Sequence, residues 1–411
     1  MSFYEPYYLR DNPFPATPLL DPSSNDDRVN GKIYNPHIGE TEIRSFESKM
    51  SQRPPLIYIE NSVFERGVGK SALLVQQWRQ LQKQAEVTSI YIRSTEKFRP
   101  VDFAARLIER WHQEGHLWAV VLQVLATYVK DDSQSGMSLA GFSLFKQKLP
   151  ELPTRPFSLT HFNVFNPKRL INDLTNLAHR QAGDHLHIDL ARAFFEAYLT
   201  DPNQFLQTYP AVLRKKKSDH IAMLAGIYCL LRLGGYQYHY LFFDQFEDVV
   251  HGMTGKALIT FNTEMRRLIE ASLGQATITV TLHPGATQAL STHEGGDIRS
   301  IAPLDSRHVV DIRPLTREGA HQLARTYLDY YRLLDSTPPE PLYPFTPEPL
   351  DDILTASRGN IRACLQAFNY AIVCGMNANY ALIDRPFLVE HHTEVTGRVH
   401  PEDVILKEGL Q

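Results

Sequence analysis

One short segment limits the possible folds more than any other. Gly67-Val68-Gly69-Lys70-Ser71 lies between a compact apolar run, Leu56-Ile57-Tyr58-Ile59, and a stretch from Ser71 to Lys83 with Leu73, Leu74, Trp78 and Leu81 at helical spacing. The two glycines permit turns with positive φ, so successive N–H groups can curl into a nest for an anion. A helix beginning at Ser71 adds the positive end of its dipole. The pattern predicts a strand–loop–helix unit that cradles phosphate. Lys70 would neutralise the β/γ-phosphates, and the Ser71 hydroxyl would complete a Mg²⁺ shell that otherwise keeps several waters. Arg66, Gly67, Val68, Gly69, Lys70, Ser71 and Ala72 are the expected binding residues. A phosphate loop usually opens on a glycine at the place held here by Phe64. The loop is thus degenerate at its entry and intact where it meets the phosphates.

The rest of the chain reads as further strands and helices. Val87–Arg93 is β-branched and alternating. Tyr238–Phe243 is a third strand that ends at Asp244, Ala276–Leu282 a fourth, and Val309–Ile312 a fifth. Helical spacing recurs over Glu40–Met50, Phe103–Trp111, Leu117–Val129, Leu170–Ala178, Asp189–Leu199, Ile221–Leu233 and Thr260–Leu273. Beyond Pro314 it recurs over Arg317–Leu334, Glu348–Ser357 and Asn360–Cys374, with a short candidate at Phe387–His392. Strands alternating with helices predict an α/β body with a largely parallel central sheet flanked by helices. The boundaries expected are an extended arm over 1–45, the body over 46–313 with a helical insertion over 101–233, a small helical domain over 314–376 and a tail over 377–411. Asp131–Pro156, rich in Ser, Gly and Pro, reads as a mobile loop.

Composition narrows the function classes. The chain has 411 residues, 43% of them hydrophobic, which suffices for a sizeable core. Its formal net charge of −4 does not advertise a nucleic-acid binder; Arg214-Lys215-Lys216-Lys217 is the one dense basic run, and Arg266-Arg267 a second candidate. Three cysteines without a CxxC pair argue against a disulfide framework or a zinc site. The grouped His185, His187 and Asp189, and Glu390, His391 and His392, lack a second ligand cluster and read as ordinary polar residues. The aromatic, acidic start of the chain does not resemble a signal peptide, and the apolar stretch from Ile221 to Phe243 is broken by Arg232, Gly234 and Gly235. The expectation is a cytoplasmic protein that does not enter a membrane.

The buried run Tyr240-Leu241-Phe242-Phe243 would deliver Asp244 to the carboxyl edge of the sheet, where open α/β folds bind ligands. Asp244 is the expected Mg²⁺ acid. Glu247 and Asp248 are nearby carboxylates able to take a proton from water, which Gln245 cannot do.

Asp244-Gln245-Phe246-Glu247-Asp248 resembles the DQFE-type Walker B segment of the STAND-class ATPases, relatives of the AAA+ proteins. The order of motifs is also similar to origin-recognition-type and secretion-type AAA+ proteins and to the ATP-binding proteins of phage-defence systems. The resemblance spans roughly residues 40 to 375, apart from the 101–233 insertion. It implies a P-loop NTPase fold with a helical lid, ATP and Mg²⁺ as cofactors, and ATP hydrolysis. It also implies a polar sensor on the fourth strand, Thr281 or His283. Asp305–Thr316 resembles the stretch from arginine finger to lid entry, which makes Arg307 a finger for a neighbouring subunit's nucleotide. Ser357-Arg358-Gly359-Asn360-Ile361-Arg362 resembles the sensor-2 signature, with Arg362 reaching the nucleotide. The chain departs from the pattern at Phe64, at Gln245 where many such ATPases carry the catalytic glutamate, and in lacking an evident winged-helix domain after the lid.

Together these features lead us to expect an ATP-binding, slowly hydrolysing switch or motor subunit. Its catalytic group would be Asp244, Glu247 and Arg307, and its partner a protein met through the helical insertion, as in defence or signalling assemblies. A homo-oligomer would bring Arg307 into use. A DNA-associated loader or transposition regulator is the first alternative, and a nucleotide-binding scaffold that no longer hydrolyses is the second.

Overall fold

The computed structural model describes residues 3–61, 67–94, 98–130, 167–201, 204–209, 219–251, 253, 255–292, 297–334 and 336–398. Phe64 and Arg66, the 131–156 loop and the Arg214–Lys217 run lie outside the described residues.

Five parallel strands form the central sheet: β1 (Leu56–Glu60), β2 (Val87–Arg93), β3 (Tyr238–Asp244), β4 (Ala276–Thr281) and β5 (Val309–Asp311). Their order is β2-β3-β4-β1-β5. β3 and β4 are buried along their whole length, as parallel strands covered on both faces must be. Alternation within β1 divides the core in two. Ile57 and Ile59 face one side with Tyr240, Phe242 and Val310, and are covered by α1 (Glu40–Ser51) and α2 (Lys70–Leu81). Leu56 and Tyr58 face the other with Ile90, Leu241, Phe243 and Ile278.

That second face carries the long excursion between β2 and β3: α3 (Pro100–Gln113), α4 (His116–Lys130), α5 (Pro167–Ala182), α6 (Ile188–Thr200) and α7 (His220–Leu233). Trp111, Trp118, Phe194 and Tyr198 are buried within it. The chain continues after β3 through α8 (Phe246–Val250) and α9 (Gly255–Glu270), and between β4 and β5 through α10 (Pro284–Thr292) and α11 (Asp297–Ile301). α9 starts earlier than the periodicity suggested and stops three residues sooner. Leu273 and Gly274 both adopt positive φ there and turn the chain into β4.

Four further helices follow β5: α12 (Arg317–Tyr331), α13 (Pro347–Ser357), α14 (Ile361–Asn377) and α15 (Arg385–Thr396). They enclose a separate apolar cluster built on Leu323, Tyr327, Leu350, Phe368, Ile372 and Phe387. Tyr7, Leu9 and Phe14 of the arm are buried in the same cluster. Among the described residues no helix is long and apolar enough to cross a membrane.

Candidate functional site

The carboxyl ends of β1, β4 and β3 stand side by side, and Lys70, Ser71, Asp244, Glu247 and Thr281 meet there. Gly67 has φ +102° and Gly69 φ +107°, the region that favours glycine. Gly69 caps α2, so Lys70 and Ser71 open that helix. A Cβ on Gly67 would stand 2.7 Å from both the Asn360 Oδ1 and the Arg362 Cβ. The Arg362 N–H, in the first turn of α14, donates to the Gly67 carbonyl at 3.1 Å. The loop therefore touches the second apolar body as well as its own sheet. Val68 is buried against the α2 side, whereas Ala72 faces outward on α2.

Lys70 is 8% exposed. Its ammonium donates to the Asn61 Oδ1 at 2.9 Å and to the Leu282 carbonyl, and lies 3.7 Å from the Glu247 carboxylate. Asn61 follows β1 and Leu282 follows β4, so the lysine spans the gap between two neighbouring strands.

Asp244 ends β3 and is also buried. Its Oδ1 accepts from the Ser71 hydroxyl at 3.0 Å and from the Gln245 N–H at 2.9 Å. Its Oδ2 accepts from the Tyr91 hydroxyl at 2.6 Å. Burial pushes the Asp244 carboxyl above its ordinary range; the Tyr91 and Ser71 hydrogen bonds work against that shift, and the charge of Glu247 adds to it. Ser71 and Asp244 are hard oxygen donors in contact. Such a set suits Mg²⁺, which takes one or two carboxylates plus phosphate oxygens and water and not an all-protein cage. Among the described residues no three His, Cys, Asp or Glu side chains converge as a metal cage.

Glu247 lies in the first turn of α8, and its Oε2 accepts from the Thr281 hydroxyl at 2.7 Å. The same hydroxyl is 3.5 Å from the Asp244 Oδ1. Thr281 thus bridges the two carboxylates from the end of β4. His283 lies just beyond, its Nδ1 accepting from the Gly285 N–H at 3.2 Å. Gln245 has φ +55°, and its amide oxygen accepts from the Arg93 Nε–H at 2.8 Å. That contact ties its side chain to the end of β2.

The structure joins Gly67, Lys70, Ser71, Asp244, Glu247, Thr281 and the backbone of Arg362 in one cluster. It does not bring Arg307 there. Arg307 precedes β5, next to the point where the His308 imidazole meets the Leu56 carbonyl at the start of β1. This is the amino edge of a parallel sheet, opposite the cluster. The Arg307 side chain is exposed and pairs with Asp305 at 2.7 Å.

Two residues of the cluster were not foreseen, Asn61 and Tyr91. A polar residue straight after an apolar strand was a usable signal for Asn61. Tyr91 gave none, because its contact with Asp244 depends on β2 and β3 being neighbours. Compared with known protein families, curated proteins and solved structures, the chain has no match.

Proposed function

We propose that this chain binds ATP with Mg²⁺ between the Gly67–Ser71 turn and the first turn of α14, and that it is a slowly hydrolysing P-loop ATPase of the AAA+/STAND kind. In this reading the α/β body carries the phosphate loop and α12–α14 form a helical lid. The observation that supports it most is the contact cluster itself: a lysine, a serine, two carboxylates and a threonine meeting at the carboxyl ends of adjacent parallel strands beside a helix start.

The roles follow from the chemistry of each group. Amides from Gly67 to Ala72, together with Arg66, wrap the phosphates. Lys70 exchanges its carbonyl and carboxamide partners for phosphate oxygens. Ser71 and Asp244 hold the cation, which when bound would spread the negative charge of the triphosphate. Glu247 takes the proton of the attacking water, and Thr281 orients that carboxylate. Arg362 reaches the nucleotide from the lid. Gln245 stands where many such ATPases carry a glutamate and is turned to Arg93, which favours slow turnover and a switch. ATP bound to both body and lid stabilises one arrangement of the two, and hydrolysis releases it. Arg307, exposed on the opposite edge, can reach only a nucleotide held by a second copy, so its role requires a homo-oligomer. The helical excursion from α3 to α7 is the proposed protein-partner surface.

ATP binding and turnover of the wild type and of Lys70→Ala test this reading. The wild type should bind Mg²⁺-ATP, and Lys70→Ala should lose that binding by at least tenfold. Failure of the wild type to bind, or equal binding by the variant, overturns it. Binding without turnover above the Lys70→Ala background, with candidate partners present, selects the scaffold.

A further inference from the structure

Asp244 needs more than a serine to hold its direction. Its carboxylate is buried at the end of β3, and a buried carboxylate is costly unless its oxygens are satisfied. Oδ1 receives Ser71 and the Gln245 amide, while Oδ2 receives Tyr91 at 2.6 Å, the shortest of these contacts. Tyr91 comes from the neighbouring strand. In the β2–β3 register Tyr91 is paired with Phe242 and Arg93 with Asp244. Tyr91 and Asp244 therefore share one face of the sheet as diagonal neighbours, within reach of a long aromatic side chain.

The phenol is itself fixed. The Trp78 ring of α2 lies against it with centroids 5.7 Å apart at 34°. Trp78 is tied down in turn: its indole N–H donates to the Ser89 carbonyl at 2.9 Å, and the Ser89 hydroxyl donates to the Trp78 carbonyl at 2.8 Å. α2 is the helix that Lys70 and Ser71 open. The same packing that sets the phosphate-binding turn therefore also sets the hydroxyl that aims Asp244.

We infer that Tyr91 is a positioning residue for the divalent cation that Ser71 and Asp244 would hold: it fixes the Asp244 carboxylate so that Oδ1 receives the Ser71 proton and the serine oxygen would stay available to the cation. This inference rests on the ATP-binding reading above. Outer-shell partners of metal-binding carboxylates change metal affinity by about 10- to 100-fold when removed. Without the phenol, Asp244 can rotate about its side-chain torsions and Ser71 loses its fixed acceptor.

The test uses the full chain and a fluorescent ATP analogue, titrated once in EDTA and once across a Mg²⁺ series. Tyr91→Phe should raise the Mg²⁺ midpoint by about tenfold while the affinity in EDTA stays within about twofold of wild type. In a Ser71→Ala background, where the serine ligand is already gone, Tyr91→Phe should add much less, because the two residues act through one carboxylate. A Mg²⁺ midpoint within twofold of wild type overturns the inference. So does a parallel loss of affinity with and without Mg²⁺, since that is the signature of a structural role alone. Retention of analogue binding by Lys70→Ala, or its absence in the wild type, would sink the nucleotide reading itself. Lys70→Ala losing the analogue while Tyr91→Phe leaves the Mg²⁺ series unchanged would sink only the role of Tyr91.

Discussion

Glu247 sits between two groups that pull it in different ways. The Lys70 ammonium, 3.7 Å away, attracts its charge, and the Thr281 hydroxyl at 2.7 Å fixes its orientation. If the chain binds ATP as proposed, a carboxylate held this way can accept a proton from the attacking water, and phosphate oxygens would replace its hold on the lysine. Gln245 has neither the basicity nor the direction, because Arg93 holds its side chain on the β2 side. Glu247→Gln should therefore lower turnover by about 10²- to 10⁴-fold with ATP affinity retained, whereas Gln245→Ala should change it by less than about threefold. Steady-state phosphate release decides between them, and a larger loss in Gln245→Ala than in Glu247→Gln would remove Glu247 as the base and leave Gln245 as the residue that orients the attacking water. Gly67 makes a separate demand on the backbone. An alanine there would carry a Cβ at φ +102° within 2.7 Å of Asn360 and Arg362. The expected cost is about 1–3 kcal/mol, with the first turn of α14 displaced. A lower denaturation midpoint together with loss of ATP binding would be the observation, and an unchanged midpoint would show that the loop yields freely.

At the scale of elements, β3 carries a second buried titratable group far from the site. His239 lies between the Trp111 ring of α3 and the Tyr228 ring of α7, with its Nδ1 2.8 Å from the Thr88 hydroxyl. Burial, helped by the charge of His116, pushes its pKa down to about 3. The unfolded chain takes up a proton near the ordinary histidine value, but the folded chain resists until far lower pH. The stability from keeping this imidazole neutral is complete above about pH 6.5 and is lost as pH falls, at about 1.4 kcal/mol per pH unit. Between pH 7 and 5 the loss from this group should reach about 2 kcal/mol. His239→Phe should flatten that part of the urea-derived stability curve, and an unchanged slope would place the acid sensitivity elsewhere. The strand itself was legible because seven consecutive buried residues leave an apolar run ending in an acid. The long helices were legible for a similar reason: their apolar faces repeat over three or more turns. α8, α10 and α11 were not read from the sequence, since elements of five to nine residues hold too little of a period to distinguish from a turn. The cluster was legible residue by residue but not in its contacts. Spacing along the chain gives Lys70, Asp244 and Thr281; the insertion of β4 between β1 and β3, which brings Thr281 and Leu282 beside the other two, is a property of strand order alone.

For the whole molecule, the question is how two apolar bodies are kept in register. The sheet with its helices forms one, and α12–α15 enclose the other. The arm belongs to both. Tyr7 donates to the Tyr380 carbonyl at 2.8 Å, Phe14 stacks on Tyr327, and the Asn369 amide donates to the Phe14 carbonyl at 2.6 Å. Further along, the Arg79 guanidinium of α2 donates to the Asn30 carbonyl at 2.7 Å, and Leu20 packs with the α2-side core. The arm thus alternates between the bodies: it touches the helix behind the Gly67–Ser71 turn at Leu20 and Asn30, and before α1 it meets α12 again, where the Tyr327 hydroxyl donates to the Arg28 carbonyl at 3.1 Å and the Asn35 amide to the Thr326 hydroxyl at 2.9 Å. Phe14 is fully buried, so Phe14→Ala should destabilise the helical body by about 3–5 kcal/mol. The sheet does not draw on Phe14 for its core, so the loss should be uneven. Amide hydrogen exchange should show α12–α15 losing protection well before β1, β3 and β4, because cooperative units open according to their own packing. Asn30 and Leu20 would still hold the arm on α2 in that variant, so the site's sheet-borne half should survive while the Arg362 contact to Gly67 is lost. ATP affinity should then fall although every residue from Lys70 to Thr281 is unchanged. Equal loss of protection in sheet and helices would mean instead that the two clusters unfold as one unit, with the arm as part of a shared core and not a strap between two.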